Sequence, residues 1–252
     1  MIKRLFDLMA SGLALLVFAP VLAVAALGVR LASPGPVLYR AVRAGRHGRP
    51  FTMYKLRTMR HGQTAVTRTR ITAVNDPRVF GFGRLLRRTK IDELPQLLNV
   101  LRGEMSIVGP RPEDPEIVAR HYAAPHRDTL AIRPGLSSPG TLYHDTHCAE
   151  HMAGDDPLRH YLEDVLPVKA ALDLVYLRRA SLGYDLALVA RTVWTLLGRL
   201  LGRRRFPDPP ELEDARGLIV PARTAGPALD SRHRVAPRPG RQALEFQPGA
   251  QS

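Results

Sequence analysis

The sequence predicts a helix-rich α+β protein with an N-terminal re-entrant membrane helix, a small β-hairpin, amphipathic interfacial helices and a disordered C-terminal tail. Three observations carry that expectation. Leu8 to Val29 is an uncharged apolar run of 22 residues. Two short strand-like stretches follow it, separated by a glycine-bearing turn. Leucines then recur at helical spacing until about Arg203, where prolines take over. The implied divisions are residues 1–32, 33–201 and 202–252.

The apolar run is about 33 Å long as a helix, enough to cross a bilayer core of about 30 Å. Pro20 sits in its middle, where it removes a hydrogen bond and clashes with the preceding turn, so a kink or break is expected near Ala19. Lys3 and Arg4 precede the run, and Arg30, Arg40, Arg43, Arg46 and Arg49 follow it. Because Lys and Arg mark the cytoplasmic side, two basic flanks favour a helix that enters, bends and returns to the same face. A straight anchor and a buried core helix are the rival readings. A cleaved signal peptide fits least, since the run exceeds the roughly 7–15 apolar residues such a segment carries. The single cysteine, Cys148, also argues against an exported, disulfide-stabilised domain.

With 37 Lys and Arg against 23 Asp and Glu, the chain carries a net charge of +14, which favours anionic lipid, nucleotide phosphate or nucleic acid as partner. Zinc-finger spacing and an aromatic–basic ribbon are both absent, so nucleic acid is not expected.

After the turn Ser33-Pro34-Gly35-Pro36, Val37 to Arg40 and Phe51 to Arg57 read as strands of a hairpin, with Gly45 and Gly48 in the turn. Alternation in the second strand puts Lys55 and Arg57 on one face, where they could meet a phosphate or simply be edge charges.

The run from Arg88 to Pro112, RTKIDELPQLLNVLRGEMSIVGPRP, is the most informative in the chain. Leu94, Leu97, Leu98 and Leu101 share one face of a helix, with Gln96, Asn99 and Arg102 elsewhere. Pro95 belongs in a first turn, which makes Asp92 the expected N-cap and Glu93 its neighbour. The helix N-terminus and the nearby Arg84, Arg87, Arg88 and Lys90 favour ionised carboxylates. Singly, such acids are ordinary caps. Beyond them Met105 to Pro112 ends in a rigid Pro-Arg-Pro turn that presents the Arg111 guanidinium, whose planar fork matches phosphate oxygens.

Farther on, Asp156-Pro157 opens a helix with Leu158, Tyr161, Leu162 and Val165 on one face. Helices follow over about 168–179 and 184–201. The last carries Leu186, Val189, Val193, Leu197 and Leu200 as a stripe, near Trp194 and several arginines; it fits a membrane interface or the core equally. His144, His147, Cys148 and His151 repeat at helical spacing, but four ligands on one helix rarely close around a tetrahedral ion, so they read as polar positions. From Arg203 the Pro/Arg-rich texture has no sustained apolar period and is expected to be disordered.

Four ordered motifs then resemble a known family: KRLFDLMASGLALLVFAPVLAVAAL, SPGPVLYRAVRAGRHGRPFTMYKLRTM, NDPRVFGFGRLLRRTKIDELPQLLNVLRGEMSIVGPRPE, and Arg133-Pro134-Gly135. They resemble the bacterial sugar transferases, monotopic polyprenyl-phosphate phosphoglycosyl transferases, in their short form without an extra N-terminal membrane domain. The likeness covers roughly residues 1–140 and, more loosely, continues to about 201. It implies that Asp92 attacks the β-phosphate of a UDP-sugar, releasing UMP, and that polyprenyl phosphate then takes the phosphosugar. Glu93 is implied as a base or an aid to metal placement, with Mg²⁺ bridging Asp92 and the diphosphate. Lys55, Arg88, Arg111 and Arg133 match motif cations and become the candidate phosphate contacts, with Arg57 a weaker one. The resemblance also implies attachment to lipid on the cytoplasmic face of the bacterial inner membrane. It leaves room for a homo-oligomer.

One departure stands out. Many relatives continue Arg-Pro-Gly with Thr-Gly-Trp-Ala-Gln, whereas this chain reads Leu136-Ser137-Ser138-Pro139-Gly140-Thr141. Nucleotide or sugar preference carried by that loop is thereby in question. Two other classes stay open at this point: a catalytically silent membrane-surface binder of the same fold, and a phosphatase-like hydrolase.

Overall fold

The computed structural model describes residues 2–62, 76–148 and 156–223. It is helix-rich, with a long apolar N-terminal helix and two small sheets.

Helix α1 spans Ile2–Ala32 and runs unbroken through Pro20. Of the kink or break expected near Ala19, a break is excluded: proline forfeits its own N–H bond at about 3 kcal/mol, and the residues on either side of it stay helical. Both ends of α1 are fastened to the rest of the chain. Near the start, Lys3 Nζ lies 2.5 Å from Asp185 Oδ2, and Arg4 donates to the carbonyl oxygens of Val100 and Leu101 at 2.6 and 3.0 Å. Asp7, buried one turn on, accepts from Ser106 Oγ and from the Ile107 amide. Near the end, Ala25 and Val29 pack with Leu56, Phe80 and Leu86. The stretch between them is bare, with Leu13, Leu16 and Val24 exposed at 63%, 75% and 69%.

The hairpin pairs β1, Leu38–Ala44, antiparallel with β2, Pro50–Leu56, and sets Tyr39 opposite Lys55. Its turn needs left-handed backbone at His47 and Gly48, with φ of 58° and 73°. Lys55 and Arg57 both line the cleft described below, but Arg57 is already engaged by backbone and hydroxyl acceptors. Arg57 lies past the strand end and donates to Pro36 O, Ser33 Oγ and Ser33 O, tying the hairpin to the turn after α1.

Helix α2, Gly81–Thr89, ends at Lys90, whose φ of 58° is left-handed and costs about 1–3 kcal/mol for a non-glycine residue. A tight 3-10 turn, Ile91–Glu93, follows, and α3 begins only at Gln96 and runs to Arg102. Asp92 thus caps no helix; Pro95 holds the cap position. The buried face of α3 also differs from the leucine spacing, because Gln96 and Asn99 are fully buried and Leu98 is exposed. For Asn99 the reason is a bracket of hydrogen bonds: it accepts from Tyr54 N and donates to Thr52 O and Glu104. Those bonds pin α3 to β2, which buries a polar side chain at no unpaired cost.

Strand β3, Ser106–Val108, pairs parallel with β4, Gly135–Ser137. Gly109 and Gly135 cross here so closely that a Cβ on Gly135 would lie 2.2 Å from Gly109 N. Only glycine fits, and the crossing fixes the Pro-Arg-Pro turn against the Arg-Pro-Gly segment through Gly135 N to Pro110 O at 2.8 Å.

Short helices α4, Pro115–His121, α5, Ala124–Asp128, and α6, Pro139–Tyr143, precede a π-helical turn over His144–Cys148. Helix α7, Pro157–His160, is capped as expected by Asp156, which accepts from Arg159 N, and passes into a second π-helical turn over Tyr161–Val165. Helix α8, Leu166–Arg179, is the central one, with Ala171, Leu172 and Tyr176 fully buried. Helix α9, Leu182–Leu200, buries Asp185, Leu188 and Thr195 and turns Leu186, Val193, Leu197 and Leu200 outward. Its leucine stripe is therefore not core.

Part of the stretch expected as a disordered tail from residue 202 is folded. Residues 207–223 are folded back on the domain around α10, Leu212–Arg216. Glu211 is buried and pairs with Arg191 and Tyr184, while Leu212, Ala215 and Leu218 pack on Ala171, Leu172 and Val175. Three apolar residues at i, i+3 and i+6 plus one paired carboxylate supply the burial that the proline count concealed. Residues 224–252 lie outside the described residues, as does His151.

Candidate active site

A cleft of 1650 Å³ opens between the hairpin, the 3-10 turn, the Pro-Arg-Pro segment and the α7–α8 wall. Lys55, Asp92, Glu93 and Arg111, all singled out from sequence, line it together.

The two adjacent carboxylates have opposite surroundings. Glu93 is gripped: Lys55 Nζ lies 2.8 Å from its Oε1, and Arg111 reaches both carboxylate oxygens, with Nη1 3.1 Å from Oε2. Burial would raise its pKa, but Arg111, Lys55 and Lys90 outweigh that and hold it well below the usual carboxylate range. A carboxylate so held is a poor proton acceptor at neutral pH, and it fixes the positions of two cations. Asp92 is the less exposed of the two, yet its Oδ1 has no hydrogen-bond partner among the described residues. Burial, then the neighbouring Glu93 charge, push its pKa up to about 6 against the pull of Lys55, Lys90 and Arg87. Asp92 is ionised at neutral pH, more basic than an ordinary aspartate, and has a free oxygen: the properties of a nucleophile.

The surrounding cations are only partly those expected. Arg88 is exposed on α2 and does not line the cleft, and Arg133 donates to Gly103 O at 2.8 Å, away from it. Their places are taken by Arg87, anchored to Thr58 Oγ1 at 2.8 Å, and by Lys90. Lys90 is steadied by Asp145 at 2.9 Å; burial opposes its charge, but Asp145 prevails and its pKa is raised. The helical period distinguishes Arg87 from Arg88: Leu86 and Gly83 face inward, and Arg87 borders that face. Asp145 carries no such signal, because its meeting with Lys90 depends on the fold.

Arg133-Pro134-Gly135 is a buttress for the Pro-Arg-Pro turn, and the divergent segment after it is interior. Ser138 caps α6, Ser137 Oγ lies 2.5 Å from Thr192 Oγ1, and Gly140 N donates to Asp173 at 3.0 Å. None of residues 136–141 lines the cleft. His147 stacks on Tyr143 and lies 3.1 Å from Asp208, and burial pushes the Cys148 thiol up to about 11. Among the described residues, no cluster of three His, Cys, Asp or Glu could hold a metal. Asp92 is the carboxylate that could hold a hard cation there: its Oδ1 has no hydrogen-bond partner among the described residues, whereas Glu93 is taken up by Lys55 and Arg111.

Fold and site together describe a protein with a bare apolar helix and a cationic cleft built around one unshared carboxylate. The chain belongs to the bacterial sugar transferase family, whose model matches residues 1–199. It is 39% identical over 206 residues to the UDP-glucose:undecaprenyl-phosphate glucose-1-phosphate transferase of Caulobacter vibrioides, covering 77% of this chain and 69% of that one. It is 40% identical over 200 residues to the undecaprenyl-phosphate glucose phosphotransferase of Komagataeibacter xylinus, covering 76% of this chain and 35% of the relative. It is 33% identical over 207 residues to the UDP-N-acetylgalactosamine-undecaprenyl-phosphate N-acetylgalactosaminephosphotransferase of Aeromonas hydrophila, covering 78% and 44%. The chain thus spans about a third to two thirds of the length of these relatives.

Proposed function

We propose that the chain transfers a sugar 1-phosphate from a UDP-sugar to a polyprenyl phosphate through a phosphosugar ester of Asp92, releasing UMP. This is a membrane step of polysaccharide or glycoconjugate assembly. The observation that carries the reading is the contrast at the acidic pair: a buried Asp92 with an unshared oxygen, beside a Glu93 locked between Lys55 and Arg111.

An oxygen of Asp92 forms a bond to the β-phosphorus as the bond to the UMP oxygen breaks, and UMP leaves with the electron pair. An oxygen of the lipid phosphate then displaces the carboxylate, which returns as an anion. Both steps bring anion to anion. Lys55, Arg87, Lys90 and Arg111 offset that repulsion in a site that needs no reorganisation, since Glu93, Thr58 and Asp145 already hold three of the four and Arg111 is held by the same Glu93. Mg²⁺ would be held by the Asp92 oxygen not used for attack and would supply further neutralisation of diphosphate charge.

A lipid phosphate must be met at the membrane surface. The bare middle of α1, with both its ends fastened to one body, supports a re-entrant element, and the outward stripe of α9 supports an interfacial one. The cleft rim at Pro36–Leu38 adjoins the α1 end, which supports lipid access from that side. The proposed location is the cytoplasmic face of a bacterial inner membrane.

Two experiments test this. UMP release from a panel of UDP-sugars should require no lipid for a first, stoichiometric turnover and polyprenyl phosphate for continued turnover; steady release of sugar phosphate without lipid would mark a hydrolase instead. In a Cys148→Ser background, cysteines at Lys3→Cys and Arg40→Cys should both be labelled from the cytoplasmic side alone. Labelling from opposite sides would make α1 a true span.

A further inference from the structure

Beyond the acidic pair, the same cleft contains a second buried polar cluster that the mechanism above does not use. Glu113, two residues after Arg111, accepts a hydrogen bond from Tyr161 and one from Lys169 Nζ at 2.9 Å, and Lys169 also donates to Tyr161 Oη at 2.8 Å. The three are 8%, 4% and 5% exposed, yet all line the cleft. The residues come from three places: the strand-to-α4 connection, the second π-helical turn and α8. π-Helical turns concentrate at functional sites, and one of them places Tyr161.

A buried ion pair is weak reason for stability, since apolar residues of similar volume usually do as well. A cluster of this kind on a substrate cleft therefore calls for a ligand. The Tyr161 ring is already flanked, by a perpendicular His144 ring at 6.4 Å and by Lys169 Nζ 5.4 Å from its centroid, which disfavours stacking on a base. What remains for a ligand is hydrogen-bonding capacity. Lys169 makes two hydrogen bonds with its three N–H groups among the described residues, and the Tyr161 and Glu113 oxygens have lone pairs to spare. Mixed donors and acceptors without a free aromatic face suit a polyol. Distance agrees, because two residues from Arg111 reach at most about 7 Å, the scale of a hexose ring from its own phosphate. The opposite rim of the cleft abuts α1, which leaves this end for the water-soluble substrate.

We infer that Glu113, Tyr161 and Lys169 form the subsite that reads the hydroxyls of the sugar in a UDP-sugar. This deepens, and rests on, the transfer reaction proposed above. A site built to hydrogen-bond a hydroxyl rejects an epimer that misplaces it, because its own buried groups are then left unpaired.

The test compares the full-length protein with Tyr161→Phe, Lys169→Met and the charge-neutral double variant Glu113→Gln/Lys169→Met, which leaves no lone buried charge. UMP release is measured with UDP-glucose, UDP-galactose, UDP-N-acetylglucosamine and UDP-N-acetylgalactosamine, alongside inhibition by UMP and thermal unfolding. The wild type should favour one of the four, and each variant should narrow that preference in kcat/KM by about tenfold or more. Inhibition by UMP, which has no sugar, should stay within about twofold. Equal loss on all four sugars, an unchanged ranking, or a wild type indifferent among them would overturn the inference while leaving the transfer reaction standing. Failure of the wild type to release UMP from any of them would overturn the reaction and this subsite with it.

Discussion

The two walls of the cleft were built by different means. One wall is made of short motifs: Lys55 in β2, Asp92 and Glu93 in one turn, and Arg111 in a rigid Pro-Arg-Pro segment. The other, His144, Tyr161 and Lys169 with Asp145 behind Lys90, is assembled from helices whose spacing in sequence predicts nothing about their meeting. The first wall carries charge that any nucleoside diphosphate sugar would need. The second carries hydrogen-bonding groups that can tell sugars apart. Relatives sharing about a third to two fifths of their residues with this chain are named for glucose in one case and N-acetylgalactosamine in another.

The sharpest way to break this division is Asp92→Asn, which should lower UMP release by at least about 10³-fold for every UDP-sugar. The same change should raise the thermal midpoint at neutral pH. Folding lifts the Asp92 pKa from 3.8 to about 6, so ionising it costs stability as pH rises through that window, and the amide escapes the cost. A destabilised variant would contradict the assigned environment.

Glu93→Gln comes next, with a loss of about 10²-fold, because Lys55 and Arg111 lose the anchor that aims them. The pH profile sharpens the point. Wild-type UMP release should rise through about pH 6 as Asp92 ionises, and the Glu93→Gln limb should move to lower pH because, of the two causes that raise the Asp92 pKa, burial stays and the smaller, the Glu93 charge, is gone. A limb that stays put would separate Asp92 from the rate.

Smaller effects distinguish neighbouring arginines. Arg87→Ala should cost about tenfold in kcat/KM, whereas Arg88→Ala, on the exposed side of α2, should stay within about twofold. Arg133→Ala should remove about 1 kcal/mol of stability with its hydrogen bond to Gly103 O and leave the pH profile alone.

Much of this was legible in the chain. The hairpin, the helices after Asp156, the acidic pair and the Arg111 turn follow from alternation, capping residues and proline geometry. What misled were local rules overridden by tertiary bonds. Asn99 is polar yet buried because β2 satisfies it, Arg133 fits a phosphate motif yet serves Gly103, and the proline-rich stretch around Glu211 folds because Arg191 and Tyr184 receive its carboxylate. Pro20 left α1 unbroken. Asp145 and Lys169 gave no signal at all, and Tyr161 only that of an apolar helix face, since their significance is a matter of who stands opposite.

The central claim is covalent, and intact-protein mass spectrometry addresses it directly. Wild-type protein incubated with a UDP-sugar it turns over and Mg²⁺, without lipid, should gain the mass of one sugar phosphate, lose it on addition of polyprenyl phosphate, and show no gain as Asp92→Asn. An adduct that persists in Asp92→Asn, or wild-type turnover with no adduct under rapid quenching, would contradict the account.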